Sequence, residues 1–332
     1  MPPAPTRFDG RSWAVVTIVM TLLGWSSVPL FLRHFADAID FWTSNGWRYG
    51  FSALLWAPVL IVGLSRGTLP PGLWRRAMVP SVFNAVSQTL FCWMFYKIDP
   101  GLATFGLRSN IVFATIGAAV FFAAERRVIR APGYIAGLLM VVLGTLGMVL
   151  LGQGVPRSTT LQGILLAVGS GAGFAGYALA VRHWMHGVNP IQSFAAISLL
   201  SAIPMVAAML VLGEPSAAGR GGFGGGAALD LIGRPVVLGE GGGTLGIDQF
   251  TMLLISAVIG IALGHVFYYY SISRLGLAVS AAVVQLQPFF VSLGSLWLFG
   301  ETLTGWQWAC GGVAVGGAVA ILWAQQRISA AS

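Results

Sequence analysis

Charged residues are scarce in this sequence. They make up 8% of its 332 residues, and hydrophobic residues make up 56%. Ordinary soluble domains contain roughly 25% charged residues. A chain with so few charges cannot cover a water-facing surface, so we expect an all-α polytopic membrane protein whose environment is the lipid bilayer.

Lysine and cysteine are also rare. The basic residues are 17 arginines and Lys97, and the formal net charge is +8. In a soluble protein this excess would suggest a nucleic-acid partner. Here the arginines cluster in short links between apolar runs, which is typical of cytoplasmic loops in membrane proteins, and no nucleic-acid partner is expected. Cys92 and Cys310 fall inside apolar runs, where a disulfide framework is not expected.

Acidic residues are missing from the middle of every apolar run. All ten lie in links or at the ends of predicted helices. Ion-coupled transporters usually place a carboxylate inside the membrane, so we expect a protein that is not ion-coupled. The spans also contain no metal-ligand cluster and no Ser/His/Asp set. No cofactor and no enzymatic activity are expected, and a membrane-embedded enzyme is the alternative class.

A membrane-spanning helix needs about 20 apolar residues. Ten segments meet this length: 13–32, 47–64, 77–96, 102–124, 133–151, 161–181, 191–212, 250–272, 277–299 and 305–324. We expect a polar N-terminus over 1–12 without a cleavable signal peptide, and a short tail over 325–332. The link 213–248 is rich in glycine, has little to bury, and is expected to be a mobile extramembrane loop.

The arginines predict the orientation. If the N-terminus is cytoplasmic, the inside links contain eleven basic residues and the outside links contain five. The positive-inside rule therefore favours a cell (inner) membrane protein with both termini in the cytoplasm.

Two lone glutamates indicate an internal repeat. Glu125 and Glu301 each close an apolar run, and Gly101-Leu102-Ala103 aligns with Gly276-Leu277-Ala278. The chain then contains a five-helix unit over 13–151 and a second over 161–324. Five is odd, so the second unit runs through the membrane upside down. Inverted repeats are a recurrent plan of secondary transporters, with the binding site between the repeats. At the helix ends, the glutamates are expected to cap neighbouring helices.

The second unit resembles the EamA-type repeat of the drug/metabolite transporter superfamily. The resemblance lies in Pro288 of the ninth helix, in Gly300-Glu301 at its end, and in a glycine-rich last helix. The first unit fits more loosely, because Phe113 stands where Pro288 would align. The resemblance implies an exporter of small metabolites with ten helices in two inverted repeats. Aromatic content and length are most similar to the aromatic amino-acid exporters, which implies amino acids or related metabolites as substrates and a monomer as the working unit. The alternative is an exporter of other drugs or metabolites that is coupled to protons.

Polar and aromatic residues inside the spans are the candidate binding residues, because burying a polar group in the membrane is unfavourable. We expect them on helices one, three, four, six, eight and nine, with helices five and ten packed outside. The proposed substrate-binding residues are Trp25, Asn84, Gln88, Arg108, Asn110, Tyr177, His265, Tyr268, Gln285 and Pro288. Proline removes a backbone N–H, so the carbonyl near Val284 is expected to face a cavity.

Each candidate also has a structural interpretation. Asn84, Gln88 and Gln285 can equally join neighbouring helices, a bond worth about 0.6 kcal/mol on average. Arg108 can extend its charge to the outer surface or pair with a substrate carboxylate. His265 can be a hydrogen-bonded packing residue or a proton carrier.

Overall fold

The computed structural model describes residues 10–122, 125–150, 161–238, 243–275 and 277–330, which are nearly all helical. The α-helices are α1 Gly10–Phe35, α2 Phe41–Ser65, α3 Leu73–Met94, α4 Pro100–Gly106, α5 Asn110–Phe121, α6 Glu125–Ile129, α7 Pro132–Leu150, α8 Leu161–Trp184, α9 Pro190–Leu212, α10 Gln249–Ala257, α11 Gly264–Leu275, α12 Leu277–Val284, α13 Gln287–Phe299 and α14 Gly305–Ala330.

Eight helical stretches among the described residues are long and apolar enough to cross a membrane. They are Ser12–Phe35, Phe41–Ser65, Pro100–Phe121, Leu161–Trp184, Pro190–Leu212, Gln249–Ile272, Val279–Phe299 and Gly305–Ile328. Two further helices, α3 and α7, are less apolar or shorter than these eight. The polar residues of α3, including Arg75 and Arg76 near its start, lower its mean hydropathy, and the apolar part of α7, Pro132–Met148, is shorter.

The long helices pack in pairs that are distant in sequence. α7 lies along α14, α2 along α9, α3 along α8, and α1 along α11. Small residues allow the closest approaches: a Cβ on Gly144 would lie 2.6 Å from the carbonyl oxygen of Cys310, and one on Gly137 would lie 2.7 Å from that of Gly317. Close backbone contact of this kind is how helices associate where lipid removes the hydrophobic driving force.

The two ends of the helix bundle differ. We call the end that carries residues 213–248 the loop side, and the end where α1 begins and α14 finishes the terminal side. On the terminal side, Arg76 donates to the backbone oxygens of Trp184 and His186, which ties α3 to the chain after α8.

The glycine-rich segment has more internal structure than its composition predicts. It contains a 3-10 helix, Gly226–Leu231, and an antiparallel pair, β1 Pro235–Leu238 and β2 Gly243–Asp248. Leu231 and Val236 are buried in one apolar cluster with Phe35 of α1 and Leu253 of α10. The prediction that this segment has little to bury was wrong, because the ends of neighbouring helices provide the apolar surface that the segment itself lacks.

Helix α2 is fixed to the same segment by polar contacts. Trp47 donates from Nε1 to the carbonyl oxygen of Gly225 at 2.9 Å. The Asp40 carboxylate caps α2 by accepting from the Thr43 N–H and also accepts from the Glu214 N–H, both at 2.9 Å. The segment therefore bridges the loop-side ends of α1, α2 and α10.

Glu301 does not cap a helix as predicted. Its carboxylate forms an ion pair with Arg33 of α1, with Nε and Oε1 2.8 Å apart, and accepts a hydrogen bond from Ser295 of α13. The side chains of Arg33 and Glu301 are 11% and 13% exposed, so a nearby guanidinium stabilises the carboxylate better than a helix end would. Glu125 begins α6, and its side chain lies outside the described part of the structure.

Candidate functional site

A cavity of about 360 Å³ lies at the centre of the bundle. This is within the range of small-molecule sites, roughly 300–1,000 Å³. Eight of the ten residues proposed from sequence line it: Trp25, Asn84, Gln88, Arg108, Asn110, Tyr177, His265 and Tyr268. All six helices expected to face it contribute, together with α2, which supplies Arg48.

Three irregular helical turns shape the cavity wall. A 3-10 turn at Leu107–Ser109 separates α4 from α5, a π-helical turn at Val258–Leu263 separates α10 from α11, and Gln285 and Leu286 separate α12 from α13. The last break agrees with the position of Pro288, which cannot donate a backbone hydrogen bond. Val284, whose neighbourhood was expected to present a free carbonyl to a cavity, lies on the cavity wall. Such turns free carbonyl groups at the level of the site.

Arg108 does not extend to the outer surface. It is 4% exposed, and its guanidinium donates from Nη1 to Gln285 Oε1 at 2.7 Å and from Nη2 to Gln287 Oε1 at 2.8 Å. Its Nε donates a longer bond, 3.4 Å, to the carbonyl oxygen of Thr104. The interpretation of Arg108 as a residue that reaches the surface was wrong, because the amides at the α12–α13 break hold it inside the protein.

Gln287 connects this arginine to α1. Its Nε2 donates to the carbonyl oxygen of Trp25 at 2.8 Å, while its Oε1 accepts from Arg108. Gln285 holds Arg108 from behind the cavity wall. Pro288 is buried at the start of α13 and serves the site through the break rather than by lining it.

Arg48 is a cavity residue that the sequence analysis did not select. It is 2% exposed, and its Nε donates to Ser256 Oγ at 3.0 Å. Among the described residues this is its one hydrogen bond, and no carboxylate lies on the cavity wall. The predicted segment 47–64 placed Arg48 at a helix end, whereas α2 begins at Phe41 and places it two turns inside.

The amide side chains differ in whether they join neighbouring helices or present free groups to the cavity. Asn84 donates from Nδ2 to Ser201 Oγ on α9 at 2.9 Å, so it joins helices and lines the cavity at once. The Oδ1 atom of Asn110 is buried and has no hydrogen-bond partner in the described structure. A buried carbonyl oxygen without a partner is unfavourable by about 1–3 kcal/mol, which makes it available to a ligand. Gln88 lies beside them on the wall.

Aromatic rings form another part of the wall. The ring centroid of Trp25 lies 5.3 Å from that of His265 and 5.1 Å from that of Tyr268, and His265 stacks on Phe194 at 4.4 Å. Trp25 donates from Nε1 to the carbonyl oxygen of Gly260, which the π-helical turn presents. Because the imidazole Nδ1 lies 3.0 Å from the carbonyl oxygen of Ile261, it donates there.

A buried apolar cluster, which we call the loop-side seal, borders the cavity and extends toward the loop side. It joins α1, α3, α4 and α8 through residues that include Val28, Leu32, Phe91, Phe95, Ala103 and Leu166. Trp93 packs against this seal and stacks on Phe41 with centroids 5.0 Å apart.

A second groove, of about 900 Å³, lies on the loop side between α1, α13 and the β1–β2 pair. It is larger than the central cavity, but its wall includes Trp297, which is 75% exposed, and none of the ten proposed residues lines it. The central cavity, with buried polar groups that converge on it, has the properties of a binding site.

Residues 161–323 match the EamA-like transporter family. This match supports placement in the drug/metabolite transporter superfamily, whose EamA-like members are membrane transporters of small molecules rather than enzymes. A search of curated proteins gives no match. A solved crystal structure of another protein is similar over 94% of this chain and 97% of that one, with 17% identity and a TM-score of 0.55. That likeness shows a shared fold.

Proposed function

From the EamA-like domain and the central cavity, we propose that this chain exports small metabolites by alternating access. The observation that carries the proposal is the convergence of eight proposed binding residues on one cavity in the interior of a membrane-protein fold. The state described is closed by the loop-side seal. Transport then requires a second state in which the seal opens and the terminal side closes.

We propose that α3 and α7 also cross the membrane, which gives ten spans in two inverted repeats. The helix pairs support this. In the two five-span units, α1, α2, α3 and α7 correspond to α8, α9, α11 and α14. If each helix is replaced by its counterpart in the other unit, the α3–α8 pair becomes the α11–α1 pair. The same exchange maps α2–α9 and α7–α14 onto themselves. Such an exchange is expected of two repeats related by a twofold axis in the membrane plane.

The proposed orientation places both termini in the cytoplasm of a cell with an inner membrane. The excess of arginines in the terminal-side links supports it. The loop side, with the β1–β2 pair and the Arg33–Glu301 ion pair, then faces outward. Export from the terminal side to the loop side follows from this orientation, and a monomer contains the complete cavity.

Amino acids with aromatic or other hydrophobic side chains are the proposed substrates. Trp25 and Tyr268 offer flat apolar surface, and the amide oxygen of Asn110 is available to an ammonium group. Arg108 is available to a carboxylate. Export of an abundant metabolite runs down its gradient, so we propose that transport is facilitated and needs no ion gradient.

The experiment is tracer counterflow in proteoliposomes that contain the purified protein. Vesicles loaded with unlabelled amino acid are expected to accumulate the labelled compound transiently, with no chemical change in it. A matched control carries Leu107→Trp, which fills the cavity beside Arg108. Chemical conversion of the compound would identify an enzyme instead, and equal uptake by protein-free vesicles would show that the chain does not transport it.

A further inference from the structure

We propose that the central cavity selects its substrate by negative charge, with Arg48 and Arg108 holding a carboxylate. An aromatic or apolar carboxylate without an amino group is then a better substrate than the amino acid itself. This inference rests on the proposed transport function and specifies the chemistry of its substrate.

The cavity wall carries positive charge. Arg48 and Arg108 are 2% and 4% exposed, and no aspartate or glutamate is among the described residues that line the cavity. Cations buried inside membrane helices normally pair with an acid or mark the path of a ligand. The guanidinium group of arginine stays protonated in proteins. The cavity therefore presents two positive charges without a counterion from the described part of the chain.

Both arginines have N–H groups without a partner in the described part of the chain. A guanidinium carries five N–H groups. Arg108 uses three, toward Gln285, Gln287 and Thr104, and Arg48 uses one, toward Ser256. The accepting groups are neutral amides, a hydroxyl and a backbone carbonyl, which orient the side chains without neutralising them. Two donors on Arg108 and four on Arg48 remain for a ligand, and a carboxylate accepts such donors in parallel pairs.

The amino group of an amino acid is unfavourable beside these arginines. A zwitterion carries no net charge, and its ammonium is repelled by both guanidinium groups in a space of about 360 Å³. The oxygen of Asn110 can accept from an ammonium, but it provides no negative charge. Removing the amine keeps every contact with the arginines and removes the repulsion.

The remaining wall fits an apolar body. Phe91, Phe174 and Trp25 line the cavity beside the two arginines. A flat ring can pack there while the carboxylate reaches the guanidinium groups. The substrate class is thus an organic monoanion with an aromatic or branched apolar group.

The test uses three compounds with the same ring: phenylpyruvate, which has only the carboxylate; phenylalanine, which has both groups; and phenethylamine, which has only the amine. Counterflow in proteoliposomes and calorimetric binding to the purified protein are expected to rank phenylpyruvate first and phenylalanine second, with an affinity ratio of about tenfold. Phenethylamine is expected neither to bind nor to move.

Arginine variants provide the second arm. Arg48→Met and Arg108→Gln are each expected to weaken phenylpyruvate binding at least tenfold, and Arg75→Gln, at an exposed arginine of α3, is the matched control. Arg48→Met is also expected to unfold at the same or a higher temperature than the wild type without ligand, because it removes a buried unpaired charge. If Arg48→Met lowers the unfolding temperature sharply, the test uses the phenylpyruvate affinities of Arg108→Lys and Arg108→Gln instead. If both variants bind phenylpyruvate as tightly as the wild type does, the proposal is overturned.

Different results would contradict charge selection and the transport function. Transport of phenylalanine or phenethylamine without transport of phenylpyruvate overturns charge selection and leaves the transporter intact. If none of the three compounds and none of a broader set of amino acids moves, the proposed transport function itself fails.

Discussion

Arg33 of α1 and Glu301, which follows α13, form an ion pair of 2.8 Å at the loop-side end of the bundle. These residues belong to different halves of the chain. Ser295 donates to the same carboxylate, and Asp37 accepts from the same guanidinium at 3.0 Å. The pair thus joins the two halves just above the loop-side seal, in the state where the seal is closed.

Glu301→Gln is predicted to favour opening toward the loop side. A partly exposed pair contributes up to about 1 kcal/mol, which corresponds to about a fivefold change in the open population. The measurement is labelling of Val28→Cys, within the seal, by a membrane-impermeant maleimide added on the loop side. The background carries Cys92→Ala and Cys310→Ala.

Asp37→Asn is the control for this experiment. Its carboxylate is 66% exposed and lies on the outer side of Arg33, so its loss leaves the Arg33–Glu301 bond in place. An equal labelling rate for the wild type and Glu301→Gln would mean that the ion pair does not hold the seal closed.

The α7–α14 contact predicts a stability difference between two glycines of one helix. A Cβ at Gly317 would lie 2.5 Å from the carbonyl oxygen of Gly137, whereas one at Gly312 meets nothing within 4 Å. Gly317→Ala is expected to lower the free energy of unfolding by about 1–3 kcal/mol. Gly312→Ala is expected to leave it equal or slightly higher.

Thermal unfolding in detergent measures this difference, and tracer flux adds a functional comparison. Because both glycines lie away from the cavity wall, folded Gly317→Ala protein is expected to keep the wild-type apparent affinity. Equal stability of the two variants would show that α7 and α14 are not packed as described.

The folded loop-side segment is predicted to loosen in acid. Hydrogen bonds from the backbone N–H groups of Thr251 and Gly233 hold the pKa of Asp248 below its usual value. Hydrogen bonds from Ser216 and from the Ala218 and Ala217 N–H groups do the same for the pKa of Asp230. Because the folded pKa is depressed, this stabilisation is present above about pH 3.9 and is lost as the pH falls through the folded value.

Hydrogen exchange over 213–238 and 243–248, corrected for the intrinsic rate, measures this loosening between pH 5 and pH 3. Replacing both carboxylates, by Asp230→Asn and Asp248→Asn, is expected to flatten the pH dependence, since the amide oxygen of Asn still accepts hydrogen bonds but does not titrate. A wild-type profile that stays flat over the same range would contradict the assignment.

Transport is predicted to need no proton gradient. His265 is the histidine on the cavity wall, but its Nδ1 is committed to Ile261 and its ring is stacked on Phe194. Efflux from proteoliposomes at equal internal and external pH is therefore expected to be unchanged by a protonophore. If the protonophore abolishes efflux and His265→Gln removes that sensitivity, His265 is a proton carrier and transport is coupled.

The sequence was informative wherever one residue type has one strong local consequence. Pro288 led to the expectation of a cavity-facing carbonyl near Val284, and Val284 lies on the cavity wall. Asn84, Gln88 and His265, selected because they are polar and lie within spans, line the same cavity. Burial of polar groups in an apolar span is unfavourable enough that few arrangements satisfy it. Local chemistry therefore predicted most of the cavity wall.

Features that depend on distant contacts were not predictable in the same way. Arg48 was missed because the start of α2 was placed six residues too late, and the capping residue Asp40 that sets it was not recognised. In the π-helical turn at Val258–Leu263, the carbonyl oxygen of Gly260 accepts a hydrogen bond from the Trp25 indole, which is distant in sequence. The loop-side segment folds on Phe35 and Leu253, which are distant from its glycines in sequence.

The central claim is that the cavity is the transport path and is reached alternately from the two sides. Ala178 lines the cavity and is exposed, so Ala178→Cys in the background without Cys92 and Cys310 reports on this directly. The measurement is tracer counterflow before and after modification with an impermeant maleimide added on either side. Ser65→Cys, at the exposed terminal-side end of α2, is the control. The account predicts that Ala178→Cys reacts from the terminal side, and from the loop side only when substrate drives turnover. Modification of Ala178→Cys is expected to stop flux, whereas modification of Ser65→Cys is not. Complete modification of Ala178→Cys with unchanged flux would contradict the account.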